Sequence, residues 1–310
     1  MGSVGSLVDG PLYIALERGY FAEAGLEVED IRAEGVTRLV APLAAGQIEV
    51  LGAALAAGMY NAFAREIDVR LVADKGRIPP GHGNAGLVVR PDLWESGVRT
   101  LTALRGRRVG LAGYTAGSAV TLFLGVALER QGMSLSDIEP VDVPLPDLNT
   151  ALSNRSLDAG IQIEPLLTLG LANGLFQLIQ RSDELAPNLQ SGFVLYSAAF
   201  ARHQTEAGRR WMVGYLRGVR DYYDAFERNR GRAEVVEILA RTTGVRDLSL
   251  YDRMVSSYMD PNGRMNVQSL IDAQEWFAAH GYVPQKVDVQ ALVDYQFVDY
   301  ALGVLGEYPQ

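Results

Sequence analysis

Apolar residues along the first two thirds of the chain recur with two periods in alternation, one helical and one extended. Leu12, Ile14, Ala15 and Leu16 predict a helix over Pro11 to Ala24, stopped by Gly25. Leu26 to Ile31 reads as a strand, and Thr37 to Ala45 as a helix between a threonine cap and Gly46. Glu49 to Ala53 reads as a short buried strand, Gly58 to Ala64 as a helix, and Val69 to Ala73 and Gly86 to Arg90 as strands. This alternation predicts an α/β protein with a mostly parallel sheet.

A second unit begins near Pro91. Val109 to Ala112 reads as a strand, Gly113 to Ser118 as a small-residue turn, and Ala119 to Gln131 as a long helix. Strands follow at Ile138 to Val143, Ala159 to Ile163 and Phe176 to Ile179, with helices at Leu148 to Ser153 and Leu166 to Asn173. Phe193 to Ser197 leads the chain out of this unit. The last third carries apolar stripes spaced three or four residues apart: Arg209 to Asn229, Ala233 to Arg241, Leu248 to Tyr258, Val267 to His280 and Val289 to Leu302. Helices without a sheet of their own need another core to pack on. The chain is therefore expected to cross between two lobes near Val88 to Pro91 and again near Gly192 to Ser197. Residues 1–88 and 194–310 then form a discontinuous lobe I, and 89–193 an inserted lobe II, with the two crossings as a hinge.

Composition narrows the function. The 310 residues carry a net charge of -9 and no basic patch, so nucleic acid is not an expected partner. The chain has no cysteine, which removes disulfides, thiolate metal sites and cysteine nucleophiles. Lysine occurs only at Lys75 and Lys286, which reads as base composition. His82, His203 and His280 have no metal-ligand spacing, and no serine sits in a G-x-S-x-G elbow. No catalytic residue, metal or cofactor is expected. No apolar run is long enough to cross a bilayer and no export signal is visible; the start reads as trimmed.

Candidate binding residues fall on loops that follow strands, where open α/β sheets place their ligands. In Gly113 to Ser118, Tyr114, Thr115 and Ser118 open a helix whose free amides suit a carboxylate, sulfonate or phosphate; a plain capped turn is the competing reading. Ser6, Leu7, Asp9 and Tyr13 occupy the equivalent position near the start, with Asp9 either a contact or a cap. Thr37, Asn61, Lys75, Gln162, Glu164 and Tyr196 complete the set.

Four stretches carry a resemblance. Pro11 to Val28, P-L-Y-I-A-L-E-R-G-Y-F-A-E-A-G-L-E-V, resembles the opening of the solute-binding proteins of nitrate, sulfonate, taurine and thiamine-precursor importers. Pro42 to Val50 resembles their next helix-strand unit, and Leu104 to Gly110 the strand that enters their second lobe. Ala151 to Gly160, followed by Glu164-Pro165, resembles their late second-lobe signature. The resemblance covers nearly the whole chain. It implies a two-lobed type II periplasmic-binding-protein fold, with mixed sheets flanked by helices and a two-strand hinge. It further implies an extracytoplasmic receptor that delivers a small molecule to the membrane permease of an ABC importer, acting as a monomer. In that family the ligand lies between the lobes, against the first strand-helix loop, the loops near Asn61 and Lys75, the turn at Thr115 to Ser118, and Glu164-Pro165. The sequence departs from the family in its first strand, of which only Gly2 to Val4 remain.

A related branch makes a thiamine pyrimidine with a cysteine-rich motif, which this chain lacks; Lys75 is the amine available for a Schiff base in that alternative. A ligand-sensing domain of a larger receptor is a third reading. Few basic residues fall on the candidate loops. Tyr13, Tyr60, Tyr114 and Tyr196 suit a flat ring, with Asp9 and Glu164 accepting its hydrogen bonds. An aromatic or heterocyclic vitamin precursor is thus favoured over sulfonate, taurine or nitrate.

Overall fold

The computed structural model describes residues 1–33, 37–65 and 67–309, with Thr37 described in its backbone alone. The first lobe begins with β1 (Gly2–Ser3), α1 (Gly10–Glu17), α2 (Tyr20–Glu23), β2 (Ile31–Arg32), α3 (Thr37–Ala44), β3 (Val50–Ala54), α4 (Ala57–Ala64) and β4 (Val69–Ile78). The chain then enters the second lobe with β5 (Ala85–Val89), α5 (Pro91–Glu95), β6 (Arg108–Leu111), α6 (Ala119–Glu129), β7 (Glu139–Asp142), α7 (Leu145–Ser153), β8 (Ala159–Ile163), α8 (Leu166–Ala172), β9 (Gln177–Arg181) and α9 (Ser182–Leu185). It returns through β10 (Leu189–Ser197) and finishes as α10 (Ala198–His203), α11 (Thr205–Glu227), α12 (Arg232–Thr243), α13 (Val267–Ala279), α14 (Val289–Leu292) and α15 (Gln296–Leu305).

The strands form two sheets, ordered β2-β1-β3-β10-β4 and β7-β6-β8-β5-β9. Both are mixed, so the mostly parallel sheet read from the alternation is replaced. β1 runs parallel to β2 and β3, while β10 is antiparallel to β3 and β4. In the second sheet β6 is parallel to β7 and β8, and β5 is antiparallel to β8 and β9. The antiparallel members are the two strands that follow a crossing. β5 belongs to the second sheet and β10 to the first, so the chain passes from one sheet to the other in 79–84 and returns in 186–188, after α9.

Several element boundaries also differ. The predicted helix over Pro11 to Ala24 is broken at Gly19, whose φ of 71° glycine adopts without steric cost. The predicted strand over Leu26 to Ile31 shrinks to β2, and the helix over Val289 to Leu302 divides into α14 and α15. The predicted helix over Leu248 to Tyr258 is only a single 3-10 turn, Leu248–Leu250. Beyond it the chain runs as an irregular strap to Asn266.

Two cores lie on the two faces of the first sheet. On one face α1, α11 and α15 pack around Tyr196, Trp211, Tyr215 and Phe297. On the other, a continuous apolar cluster runs from Leu51, Ala53 and Leu71 through Leu270, Trp276 and Phe277 of α13. It continues to Leu122 and Phe123 of α6 and to Leu87, Val109 and Ile161 of the second sheet. α13 therefore joins the lobes: Trp276 lies against Gly125, where a Cβ would meet its ring at 2.1 Å.

Candidate functional site

The loops after β1 and β8, one from each sheet, face each other across a small cavity of about 70 Å³. Ser6, Leu7 and Val8 line it from the first lobe, Ile163 and Glu164 from the second, and Asn84 from the first crossing. Tyr222 of α11, Leu239 of α12 and Met254 to Ser257 of the strap close the remaining sides. Small-molecule sites typically occupy ~300–1,000 Å³, so the cavity in this arrangement is smaller than such a site.

The strap holds this wall in place with hydrogen bonds to both lobes and to the crossing. The Val255 amide donates to Glu164 Oε1 at 3.3 Å, and Asn84 Nδ2 donates to Ser257 Oγ at 2.8 Å. Glu164 Oε2 accepts from the Thr168 amide at 3.0 Å, and Arg181 stands 3.5 Å from Oε1. The Arg77 amide donates to the Tyr258 carbonyl at 3.0 Å, and its guanidinium lies over the Tyr258 ring. Deeper in the first lobe, Asp74 Oδ2 accepts from the Asp260 amide at 2.6 Å, and its Oδ1 accepts from the Gly76 amide and from Gln190 Nε2. Burial pushes the Asp74 carboxyl up to about 6.

Other predicted site residues are engaged inside the lobes. Lys75 and Asp9 form an ion pair at 2.9 Å with almost no solvent access. Asp9 Oδ2 also accepts from the Val4 and Ser6 amides and from Ser6 Oγ. Burial alone would raise its pKa; the Lys75 ammonium and the two amides outweigh that and hold it below the ordinary carboxylate value. Tyr13 is buried with its hydroxyl 2.9 Å from Ser3 Oγ, and burial pushes its pKa up to about 12. Tyr196 lies in the core and donates to the Gly208 carbonyl at 2.9 Å. Gln162 ties β8 to α7 through Leu145 and Asn149. Asn61 donates to the Tyr282 carbonyl at 2.9 Å, away from the cleft cavity. Thr37 opens α3, and its side chain lies outside the described residues.

The turn from Gly113 to Ser118 already holds an anion, supplied by the chain. Asp142, at the end of β7, accepts from the amides of Gly113 (2.9 Å) and Thr115 (3.1 Å) and from Thr115 Oγ1 (2.6 Å). Burial would raise the Asp142 pKa, but these donors hold it below the usual value. Ser118 caps α6, accepting from the Thr121 amide and donating to the Ala112 carbonyl. The turn also touches the other lobe, since the Ala57 amide donates to the Gly117 carbonyl at 2.9 Å. Gly117 has a φ of +66°, and a Cβ there would meet the Tyr282 ring at 2.9 Å. Tyr114 reaches Tyr282 as well, and burial raises the Tyr282 pKa to about 12.

Of the predicted set, the structure brings Ser6, Leu7 and Glu164 to the cavity. Sequence reading missed Asn84, Tyr222, Leu239 and the strap. The signals available for the strap were Ser256-Ser257 and Pro261-Asn262-Gly263, turn chemistry that competes with a helix. Among the described residues no helix is long and apolar enough to cross a membrane, and no three His, Cys, Asp or Glu gather as a metal site.

Comparison with known proteins places the chain further. A sequence model of the family described as NMT1/THI5 like matches residues 9–225. A search of curated proteins finds no match. Among solved structures, the alkanesulfonate-binding protein SsuA from Xanthomonas axonopodis pv. citri, bound to MOPS, is similar with a TM-score of 0.72 and 21% identity. That likeness covers 94% of this chain and 96% of that one. The periplasmic nitrate-binding protein NrtA from Synechocystis PCC 6803 gives a TM-score of 0.72 at 13% identity, over 98% of this chain and 88% of that one. The desulfurization enzyme DSZB gives 0.66 at 14% identity, over 98% of each chain. At these identities the structures establish a shared fold, the two-lobed α/β architecture described above.

Proposed function

The chain belongs to the NMT1/THI5-like family, and we propose that it is the extracytoplasmic solute-binding receptor of an ABC importer, carrying a small organic ligand between its lobes to a membrane permease. The observation that carries this reading is the cavity itself. Ser6 to Val8 and Ile163-Glu164 come from different sheets and line one space at the hinge. Parting the lobes opens that space, and a ligand touching both loops favours the closed arrangement over the open one. The fold shared with sulfonate- and nitrate-binding proteins supports the same reading.

The polar groups of the cavity favour an aromatic or heterocyclic ligand, of the kind a vitamin precursor is, over sulfonate, taurine or nitrate. Among the described residues its lining carries no lysine or arginine. The donors that would hold an anion are committed elsewhere: Lys75 to Asp9, and the Gly113 to Ser118 turn to Asp142. Ser6, Asn84, Ser256, Ser257 and Glu164 line the cavity with hydroxyl, amide and carboxylate groups; Ser6, Asn84 and Glu164 also bond within the protein, and their remaining acceptor capacity suits a ring bearing N-H or O-H donors.

The test is thermal unfolding with a panel of sulfonates, nitrate, carboxylates, pyrimidines and flavins. A ligand at a hundredfold its Kd adds ~2.7 kcal/mol of stability. Glu164→Gln should weaken that ligand, read as a smaller ligand-induced shift measured against the variant's own ligand-free melting point. A panel without any shift, or a shift that Ser6→Trp and Glu164→Gln both leave intact, overturns the assignment. A catalytic role has a precedent in DSZB, which shares the fold. Lys75, the amine a Schiff base would use, is 3% exposed and paired with Asp9.

A further inference from the structure

A second cavity lies outside the cleft. It occupies about 580 Å³ on the first sheet, between α3 and α4, with Ala53, Val69 and Leu195 as its floor. Val40 and Leu43 wall it on one side, Met59 and Ala62 on the other. The size is that of a small-molecule site.

The residues that could fill this space are small. Ala41, Ala54, Ala56, Gly58 and Ala62 surround it. Gly58 sits inside α4, and a Cβ built on it meets nothing within 4 Å. Glycine inside a helix costs about 1 kcal/mol against alanine. No close approach requires it here, and the position is open.

Two polar groups give the groove a chemistry. Asn61 lines the groove; its Nδ2 is fixed on the Tyr282 carbonyl, and its Oδ1 is buried and accepts no hydrogen bond among the described residues. A buried acceptor without a donor costs ~1–3 kcal/mol. Arg65, at the C-terminal end of α4, is exposed at the rim, and its guanidinium makes no ion pair or hydrogen bond among the described residues.

We propose that the groove between α3 and α4 is a second binding site, for a small amphipathic carboxylate whose apolar body lies on Ala53, Val69 and Leu195 and whose anionic head meets Arg65. A hydroxyl or amide on the body satisfies Asn61 Oδ1. One lining residue, Ala56, precedes Ala57, whose amide donates to the Gly117 carbonyl of the other lobe.

Isothermal titration of the whole protein with octanoate, 1-octanol and acetate tests this independently of the cleft ligand. Octanoate binds at one saturable site, and acetate does not bind. Ala41→Trp and Gly58→Leu each weaken octanoate by more than about tenfold, and Arg65→Gln weakens it about threefold while sparing 1-octanol. Ser6→Trp, in the cleft, changes nothing. Should Ala41→Trp fail to fold by circular dichroism, Gly58→Leu decides, since it raises helix propensity. Absence of saturable octanoate heat, binding that survives the groove-filling variant, equal effects of Arg65→Gln on octanoate and octanol, or loss on Ser6→Trp each overturns the proposal.

Discussion

Asp9 Oδ1 and Lys75 Nζ meet at 2.9 Å in the interior of the first lobe, almost out of reach of water. Gly52 makes room for the pair, since a Cβ there would lie 2.5 Å from Lys75 Cε. Removing one partner of a buried pair strands the other charge, at a cost of ~3–5 kcal/mol. Lys75→Met and Asp9→Asn should each lose about that much in urea unfolding, and the double variant should lose less than their sum. Additive losses would mean that the two charges do not act as a pair.

Much of the architecture was legible along the chain, because long periodic runs report their own burial. The α11 stripe and the β8 strand at Ala159 to Ile163 are where the pattern placed them. The strap was not. Leu248, Tyr251, Val255 and Tyr258 keep helical spacing, yet hydrogen bonds to Asp74, Asn84 and Glu164 draw that segment out between the two sheets. Those partners are remote in sequence, as Lys75 is from Asp9. A local pattern shows which groups need a partner, not which one the fold supplies.

Asp142 serves as an internal anion for the turn that opens α6. Asp142→Ala should expose the Gly113 and Thr115 amides, lower stability by ~1–3 kcal/mol, and create a sulfate response absent from the parent protein. Melting curves with and without sodium sulfate, against a sodium chloride control, measure this. An identical sulfate response in both proteins would show that the turn is not the anion site.

The Asp74 carboxyl, raised to about 6 from 3.8 by burial, ties stability to pH in an unusual direction. Between about pH 4 and pH 6 the folded state holds a proton on Asp74 that the unfolded chain has released. This group's contribution therefore falls as pH rises through that window, by on the order of 1 kcal/mol per pH unit, and is flat above it. Subtracting the Asp74→Asn profile from the parent profile isolates the slope. A difference that rises with pH in this window would contradict the environment described for Asp74.

Glu129 Oε1 of α6 receives the indole N-H of Trp276 on α13 at 2.9 Å and stands 2.9 Å from Nε2 of His280, the residue that follows α13. Glu129→Ala leaves the indole without its acceptor and removes a polar clasp between the lobes, for an expected loss of ~1–3 kcal/mol. Small-angle scattering of the free protein should show a larger radius of gyration for the variant. An unchanged radius together with unchanged stability would mean that apolar packing of Trp276 on Gly125 is sufficient by itself.

The apolar cluster that runs from Leu51 through Trp276 to Ile161 belongs to neither sheet alone. Its consequence is thermodynamic. A lobe that melted separately would expose its half of a shared interior, so neither has a stable folded form apart from the other. Scanning calorimetry of the free protein should record one endotherm whose van't Hoff and calorimetric enthalpies agree. The protein loses its structure as one cooperative body.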